Sequence, residues 1–408
     1  MDHMNSAHIA QLRHYQQEMQ QELAAILDYW ASNMVDRQQG GFYGRIDQDN
    51  TVYPDAPKGA VLNGRILWTY AAAFNLTGQL EHLALAGRAF DYIRDHFIDP
   101  AQGGVYWSVN AKGQPLDTKK QFYALAFILY GLAEYYRAAQ NEAAKTMAIE
   151  LFHTIEKYSR DPQSGGYLEA LARDWQALPD LRLSAKDANE KKTMNTHLHV
   201  LEAYTNLYRI WPAAELKEAI ISLLRIFLDR IIDPASFHLR LFFDEQWVLR
   251  SNIISYGHDI EAAWLLQEAA EVLTDEQLLQ EVKQAGLQLA AAAARGLDKD
   301  GGLWYEYNGD THHLVREKHW WPQAEAMVGF FNAWQVSGQV QYLNHSLNSW
   351  GFTRQYLLDR RHGEWYWGIR EDHTLMPGED KAGFWKCPYH NGRACMELIR
   401  RIHTLLPQ

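Results

Sequence analysis

Apolar residues return at spacings of three and four along twelve stretches of the chain, the interval that gathers them on one face of an α-helix. The pattern predicts helices over residues 6–34, 60–77, 80–97, 118–138, 141–158, 192–211, 213–231, 256–273, 276–296, 318–337, 340–358 and 385–405. Some of these, such as ALAFILYGLAEYY and AAWLLQEAAEVL, are apolar or small almost all round, as helices enclosed by other helices should be. The periodicity breaks at glycine pairs followed by aromatic residues. Paired glycines cost about 1 kcal/mol each inside a helix. Alternating aromatics after a glycine turn favour short strands instead, and GGVYWSVNAKGQP reads most clearly as a hairpin.

These breaks are copies of one motif, an aspartate followed about four residues later by glycine and aromatics. It starts at Asp36, Asp99, Asp161, Asp233, Asp298 and Asp359, at intervals of 63, 62, 72, 65 and 61 residues. A fixed period of this length means one supersecondary unit repeated around an axis. Six units of helix, hairpin and helix fill the chain, which predicts an all-α fold. The expected architecture is an (α/α)6 barrel of twelve helices, with short β-hairpins at one end, forming a single domain over 1–408. An open solenoid is the alternative, but neither end shows the polar capping repeat a solenoid needs. The fourth copy has diverged: Phe237 and His238 replace its glycines.

Composition narrows the class of partner. The hydrophobic share of 47% suits a large core, and the net charge of −11 argues against nucleic acid or an anionic membrane. No run of about 18 apolar residues exists to span a membrane. The first residues, MDHMNSAHIAQLRHYQQEMQQ, lack the apolar segment of a secretory signal. Cys387 and Cys395 make no disulfide framework and suit a reducing compartment, so a cytoplasmic protein is expected. The 15 Trp and 22 Tyr exceed the needs of a core, and surplus aromatics often line ring-shaped ligands.

The helix after each hairpin opens with polar residues that are expensive to bury without partners. They are Arg65, Tyr123, Asn195 with His199, His258 with Glu261, Trp321 with Glu325, and His390 with Arg393. The leading residue of each set lies 23 to 34 positions after its repeat aspartate. Equal phase in a ring means equal height, so all six sets should line the mouth that carries the hairpins. Each residue alone has an ordinary reading: a structural ion pair for Arg65, a cap for Asn195, a core tyrosine for Tyr123. His197 and His199 are two apart and cannot share a helical face, so one of them is structural and His199 is the site candidate. His258 and His390 follow the breaks SYGH and CPYH at helix starts. Histidine can take and give protons near neutral pH, and Glu261 sits on the same helical face as His258.

Rival chemistries remain open from the residues. A metal centre built from His199, His258, Glu261 and His390 matches no standard ligand spacing. No phosphate loop or dinucleotide fingerprint is present, and neither a metal nor another cofactor is expected. A glycoside hydrolase would use Glu261 and Glu325 as its two carboxylates, leaving the histidines unexplained. A sugar-binding module would bind without turnover.

At GAVLNGRILW, GGVYW, SAKDANEKKTMNTHLHVLEAY, FFDEQW, SYGHDIEAAWLL, HWWPQAEAMVGF and FWKCPYHNGRAC the chain resembles the N-acylglucosamine 2-epimerase superfamily over essentially its whole length. The resemblance implies an (α/α)6 barrel without metal or redox cofactor. Its implied activity is epimerisation at C2, glucose to mannose, in the reducing-end unit of β-1,4-linked disaccharides such as cellobiose and lactose. It makes His258 and His390 the acid/base pair, reacting through ring opening and a cis-enediolate, with Arg65 and His199 at the developing oxyanion. Tyr123, Asn195 and Glu261 would hold the opened sugar. Trp321 and Trp385 would stack, and Asp187 and Glu325 would lie near the substrate. The ten residues between FFD and SYGHD show no insertion, whereas related mannose epimerases carry a longer loop there. SYGH stands where the glucosamine branch has Pro-Gly-His. Both features favour the disaccharide branch over a mannose or N-acylglucosamine 2-epimerase or an aldose–ketose isomerase. The implied partner is a small disaccharide, and the chain is expected as a monomer or homodimer.

Overall fold

A computed structural model describes residues 6–406, so the first five and last two residues of the expected domain lie outside the described residues. Twelve α-helices alternate along the chain: α1 (Ser6–Asn33), α2 (Ala60–Thr77), α3 (Leu80–His96), α4 (Phe122–Ala139), α5 (Glu142–Tyr158), α6 (Met194–Tyr208), α7 (Ala214–Ile226), α8 (Tyr256–Leu273), α9 (Glu276–Ala293), α10 (Trp320–Ser337), α11 (Val340–Tyr356) and α12 (Tyr389–Leu405). The even-numbered helices form an inner ring that closes from α2 through α4, α6, α8 and α10 to α12 and back to α2. Each outer helix packs on the inner helix before it, and α1 packs on α12. This last contact joins the chain ends. The Trp30 indole donates to Glu364 at 2.5 Å, the Trp365 indole to Glu22 at 2.7 Å, and the Gln16 amide to the Ile399 carbonyl at 3.0 Å. The ring is therefore closed, as the sixfold repeat predicts, and not a solenoid.

Residue type decides which helix goes inside. α4 is buried without interruption from Phe122 to Tyr135, whereas α3 buries one stripe around Ala86, Ala89, Phe90 and Ile93. Close approach of α2 and α4 depends on glycine. A Cβ on Gly64 of α2 would stand 2.8 Å from the Phe127 carbonyl oxygen, and one on Gly131 of α4 2.6 Å from that of Gly64.

The repeat aspartates are latches. In Asp36, Asp99, Asp161, Asp233 and Asp359, Oδ1 accepts the backbone N–H groups two and three residues on, closing the turn. The other oxygen takes a buried ammonium from further along the chain. Lys58 reaches Asp36 at 2.8 Å, Lys120 reaches Asp99 at 3.0 Å, Lys192 reaches Asp161 at 2.7 Å, and Lys381 closes on Asp359. Lys318 bridges Asp298 and Asp300, each at 2.6 Å. Lys58, Lys120, Lys192 and Lys318 sit two residues before an inner helix, so the latch fixes where that helix begins. In the divergent fourth unit Arg240 takes Asp233 instead, at 2.6 Å. Phe237 keeps the left-handed backbone there, at φ 61°, where Gly40, Gly103 and Gly165 have φ 82°, 75° and 72°. That conformation costs an L-residue roughly 1–2 kcal/mol, so the turn geometry outlasted the loss of its glycine.

Each unit closes its aspartate turn with a local antiparallel bridge, such as Val35 with Phe42 and Ile98 with Val105, but the longer strand pairing mostly runs between units. Most pairs join successive repeats: 58–59 with 108–109, 120–121 with 170–171, 192–193 with 242–243, 253–255 with 306–308, 318–319 with 368–369, and 380–382 with 46–47. They form a belt around one mouth. Hairpins within a unit occur at Ser108–Val109 with Pro115–Asp117, as the sequence predicts, and at Glu306–Asn308 with His313–Val315. The belt explains the helix starts. Residues 118–121 are not helical because Lys120–Gln121 belongs to it. The last helix begins at Tyr389, not 385, which leaves Trp385 and Cys387 in a loop. The expected helix 213–231 ends at Ile226 and finishes in a π turn, Phe227–Ile231. Both cysteines are buried and free. No helix among the described residues is long and apolar enough to cross a membrane.

Candidate active site

Five inner helices start directly after a belt strand and α12 starts after the Trp385 loop, so the N-terminal ends of all six, with their partial positive charge, converge on one mouth. At 1.5 Å per residue, depth below that mouth follows position in the helix. Tyr123, Asn195, His258, Trp321 and His390 are second or third residues and form an upper layer. Arg65, His199, Glu261, Glu325 and Arg393 lie about one turn deeper. Asn195, His258, Trp321 and Trp385 keep partial solvent access, while the deeper layer is buried.

Each of the three site histidines has its Nδ1 engaged by the protein, which leaves Nε2 for a ligand. His390 Nδ1 lies 2.6 Å from Glu325 Oε1, His199 Nδ1 lies 2.9 Å from Glu202 Oε2, and His258 Nδ1 lies 2.8 Å from Ser255 Oγ. Burial pulls His258 down to about 3, helped by the nearby His199. Burial, with Arg65 and Arg393 beside it, holds His390 well below its ordinary value. Both imidazoles are therefore neutral at pH 7. His197 is structural: its Nδ1 meets the Thr193 carbonyl at 2.7 Å and its Nε2 accepts the Tyr167 N–H at 2.9 Å.

Beneath the histidines lies a hub that the sequence reading only touched. Arg393 donates to Glu202, to Glu261 at 2.8 Å and to Glu325 at 2.6 Å, tying together helices α6, α8, α10 and α12. Tyr389 donates to Glu202 at 2.6 Å, and the Trp264 indole donates to Glu325 Oε2 at 3.0 Å. Burial raises all three carboxyls, but Arg393 and His199 bring Glu202 down to about 2. Glu261, buried beside Glu325, is raised well above the carboxylate range, and Glu325 is raised by burial. Glu202 and Tyr389 had no place among the expected residues. The one available signal was a glutamate inside the apolar run HVLEAY.

Arg65 donates to the Tyr123 hydroxyl at 2.9 Å and to the Trp385 carbonyl at 3.3 Å, and its guanidinium lies 4.1 Å from the Phe127 ring centre. Trp321 packs 4.6 Å from the His258 ring and 5.7 Å from His390. Trp385 stands 6.2 Å from Tyr123 and 5.8 Å from Trp107. Asp187 sits at the rim in the loop 172–191, holding the Ser184 backbone N–H at 2.8 Å, and its charge helps push up Tyr305 and Glu306. Tyr305 meets Trp321 edge-on at 6.4 Å, so Asp187 belongs to the Trp321 side of the mouth. Four buried polar atoms near the cleft have no protein partner: Asn195 Oδ1, Glu261 Oε2, Arg65 Nε and Arg393 Nε. Both Glu325 oxygens, in contrast, are taken by His390, Arg393 and Trp264.

Glu261, Glu325 and His390 offer three donor atoms within 4.8 Å of one another. Arg393 already supplies the cation between those carboxylates, so the donor set is that of a guanidinium site. A cavity of about 670 Å³ opens at the far end of the barrel, between Gln267, Lys283, Asn332 and Arg401. Its buried groups are paired among themselves: Asn332 with Gln267 at 2.9 Å, and Arg401 with Asn332 at 2.8 Å and Gln335 at 2.9 Å.

Comparison with known proteins gives the family. The N-acylglucosamine 2-epimerase family model matches residues 40–394. A cellobiose 2-epimerase of Bacteroides fragilis is 52% identical over 94% of this chain and 98% of its own, and one of Ruminococcus albus is 39% identical over 94% and 98%. The solved cellobiose 2-epimerase of Spirochaeta thermophila superposes with a TM-score of 0.91 at 39% identity, covering 98% of this chain and 99% of its own. A mannanase of glycoside hydrolase family 76 from Bacteroides thetaiotaomicron shares the fold alone, at 12% identity and a TM-score of 0.66 over 95% and 96% of the two chains. The chain belongs to the N-acylglucosamine 2-epimerase family.

Proposed function

We infer that the protein is a cellobiose 2-epimerase, an isomerase that interconverts glucose and mannose at the reducing end of β-1,4-linked disaccharides. The observation that carries the reading is the pair of neutral histidines at one mouth, on α8 and α12, each with Nδ1 engaged and Nε2 free. Inversion at C2 needs the ring to open first, because the aldehyde acidifies the C2 proton. One base then removes that proton, and an acid on the opposite face returns one to the enediolate.

The surroundings of the two histidines suit these roles. His390 acts from the tautomer that carries its proton on Nε2, with Nδ1 accepting from the Glu325 carboxyl across 2.6 Å, a group that burial raises. As Nε2 protonates C2, Nδ1 takes the proton of Glu325, and no lone imidazolium is needed in the resting site. His258, backed by a hydroxyl, takes the C2 proton on Nε2 and becomes the imidazolium. In reverse, His258 donates and His390 is the base. His390 is also assigned to ring opening. The oxyanion that develops at O1 meets Arg65, pre-aligned by Tyr123, with His199 nearby. Asn195 Oδ1 and Glu261 Oε2 are free to meet sugar hydroxyls. Trp321 and Trp385 offer the stacking faces.

Incubation with cellobiose, lactose, glucose, mannose, N-acetylmannosamine and fructose, with products separated by chromatography, tests the assignment. The expected products are the C2 epimers of the two disaccharides. Turnover confined to monosaccharides, or release of glucose from cellobiose, would overturn it.

A further inference from the structure

Ser255 is the N-cap residue of α8, yet its side chain makes no cap hydrogen bond. Serine at this position ordinarily accepts the backbone N–H two or three residues on, as Thr193 does at the start of α6, where it accepts Thr196 N–H at 3.1 Å. In α8 the third residue is His258, and the hydroxyl goes to its ring, 2.8 Å from Nδ1. Ser255 is buried, and its backbone is held in a strand opposite Glu306, so the hydroxyl approaches His258 from a fixed point. The other two site histidines, His199 and His390, have a glutamate at the same nitrogen.

We propose that Ser255 is a positioning residue that accepts the Nδ1–H of His258 and so keeps Nε2 as the free lone pair facing C2. This rests on the epimerase reading above. In the neutral ring, Nδ1–H to Oγ makes Nε2 the base. In the imidazolium formed after proton transfer, the same bond persists and Nε2–H is the acid. The opposite tautomer, with Nδ1 accepting from the hydroxyl, would point an N–H at C2 and stall abstraction. Ser255 does not touch the sugar. It adds no charge, so His258 stays neutral between turnovers, unlike a histidine backed by an ionised carboxylate.

The test is Ser255→Ala, with Ser255→Gly as a second variant because glycine is well tolerated at an N-cap. Cellobiose and its mannose-ended epimer are each prepared with deuterium at C2. The expected result is a kcat at least about tenfold lower with little change in KM, and a melting temperature close to wild type because no cap is lost. The C2 deuterium effect should rise only in the direction in which His258 removes the proton. In the other direction the solvent isotope effect should rise instead. Unchanged isotope effects in both directions, a symmetric rise, or wild-type kcat would each overturn the proposal. If wild-type enzyme leaves both disaccharides unchanged, it is the epimerase reading that fails.

Discussion

Replacing Arg393 by methionine keeps much of the side-chain volume but removes the one cation that joins Glu202, Glu261 and Glu325. Two of these carboxyls are already raised and can stay protonated, so the loss leaves about one uncompensated buried charge, chiefly on Glu202. Removing one partner of a buried pair costs about 3–5 kcal/mol. Unfolding entropy of about 2 cal/mol/K per residue over 408 residues converts this to a drop in Tm of roughly 5 °C. The loss depends on pH. In the wild type Glu202 titrates at about 2, below its unfolded value, so its contribution is present above the ordinary carboxylate range and fades as pH falls toward 2. Without Arg393 that contribution goes, and Glu261 and Glu325 rise further, which destabilises the fold as pH increases. Thermal unfolding of both proteins from pH 5 to pH 8 should show a gap that widens with pH. A gap that is constant or narrows toward pH 8 would refute the hub assignment.

Lys58→Met should destabilise more than Lys120→Met in urea unfolding. Both pairs are almost wholly buried, but Asp99 retains Arg173 at 2.8 Å after the second change, whereas Lys58 is the one cation paired with the Asp36 carboxylate among the described residues. Equal losses would mean the latches are not held by charge pairing. His258→Ala and His390→Ala should each abolish turnover and keep the wild-type circular dichroism spectrum, and substantial activity in either would remove that residue from the acid/base pair.

Much of the fold was legible because the sequence repeats its punctuation. Six aspartate motifs gave the unit and the ring, and the polar openings of the inner helices gave the mouth. The purpose of the aspartates was not legible, since their lysine partners lie about 20 to 31 residues away and pair only once the belt has formed. Helix starts at 122 and 389 were missed for the same reason: belt strands and the Trp385 loop, not local periodicity, end the extended segments there. In the site, the upper layer and the deeper Arg65, His199, Glu261, Glu325 and Arg393 were found by phase, but Glu202 and Tyr389 were not. Glu202 sits inside an apolar helical run and Tyr389 at a helix start, and their meaning comes from a contact between α6 and α12, where Tyr389 and Arg393 both donate to Glu202.

The central claim is proton transfer at C2. The direct measurement is turnover of cellobiose in deuterated water, with the mannose-ended product analysed by proton NMR. The account predicts one deuterium at C2 of the reducing-end mannose, since His258 takes a proton from one face and His390 delivers one from solvent to the other. Product that keeps its original hydrogen at C2 would contradict it.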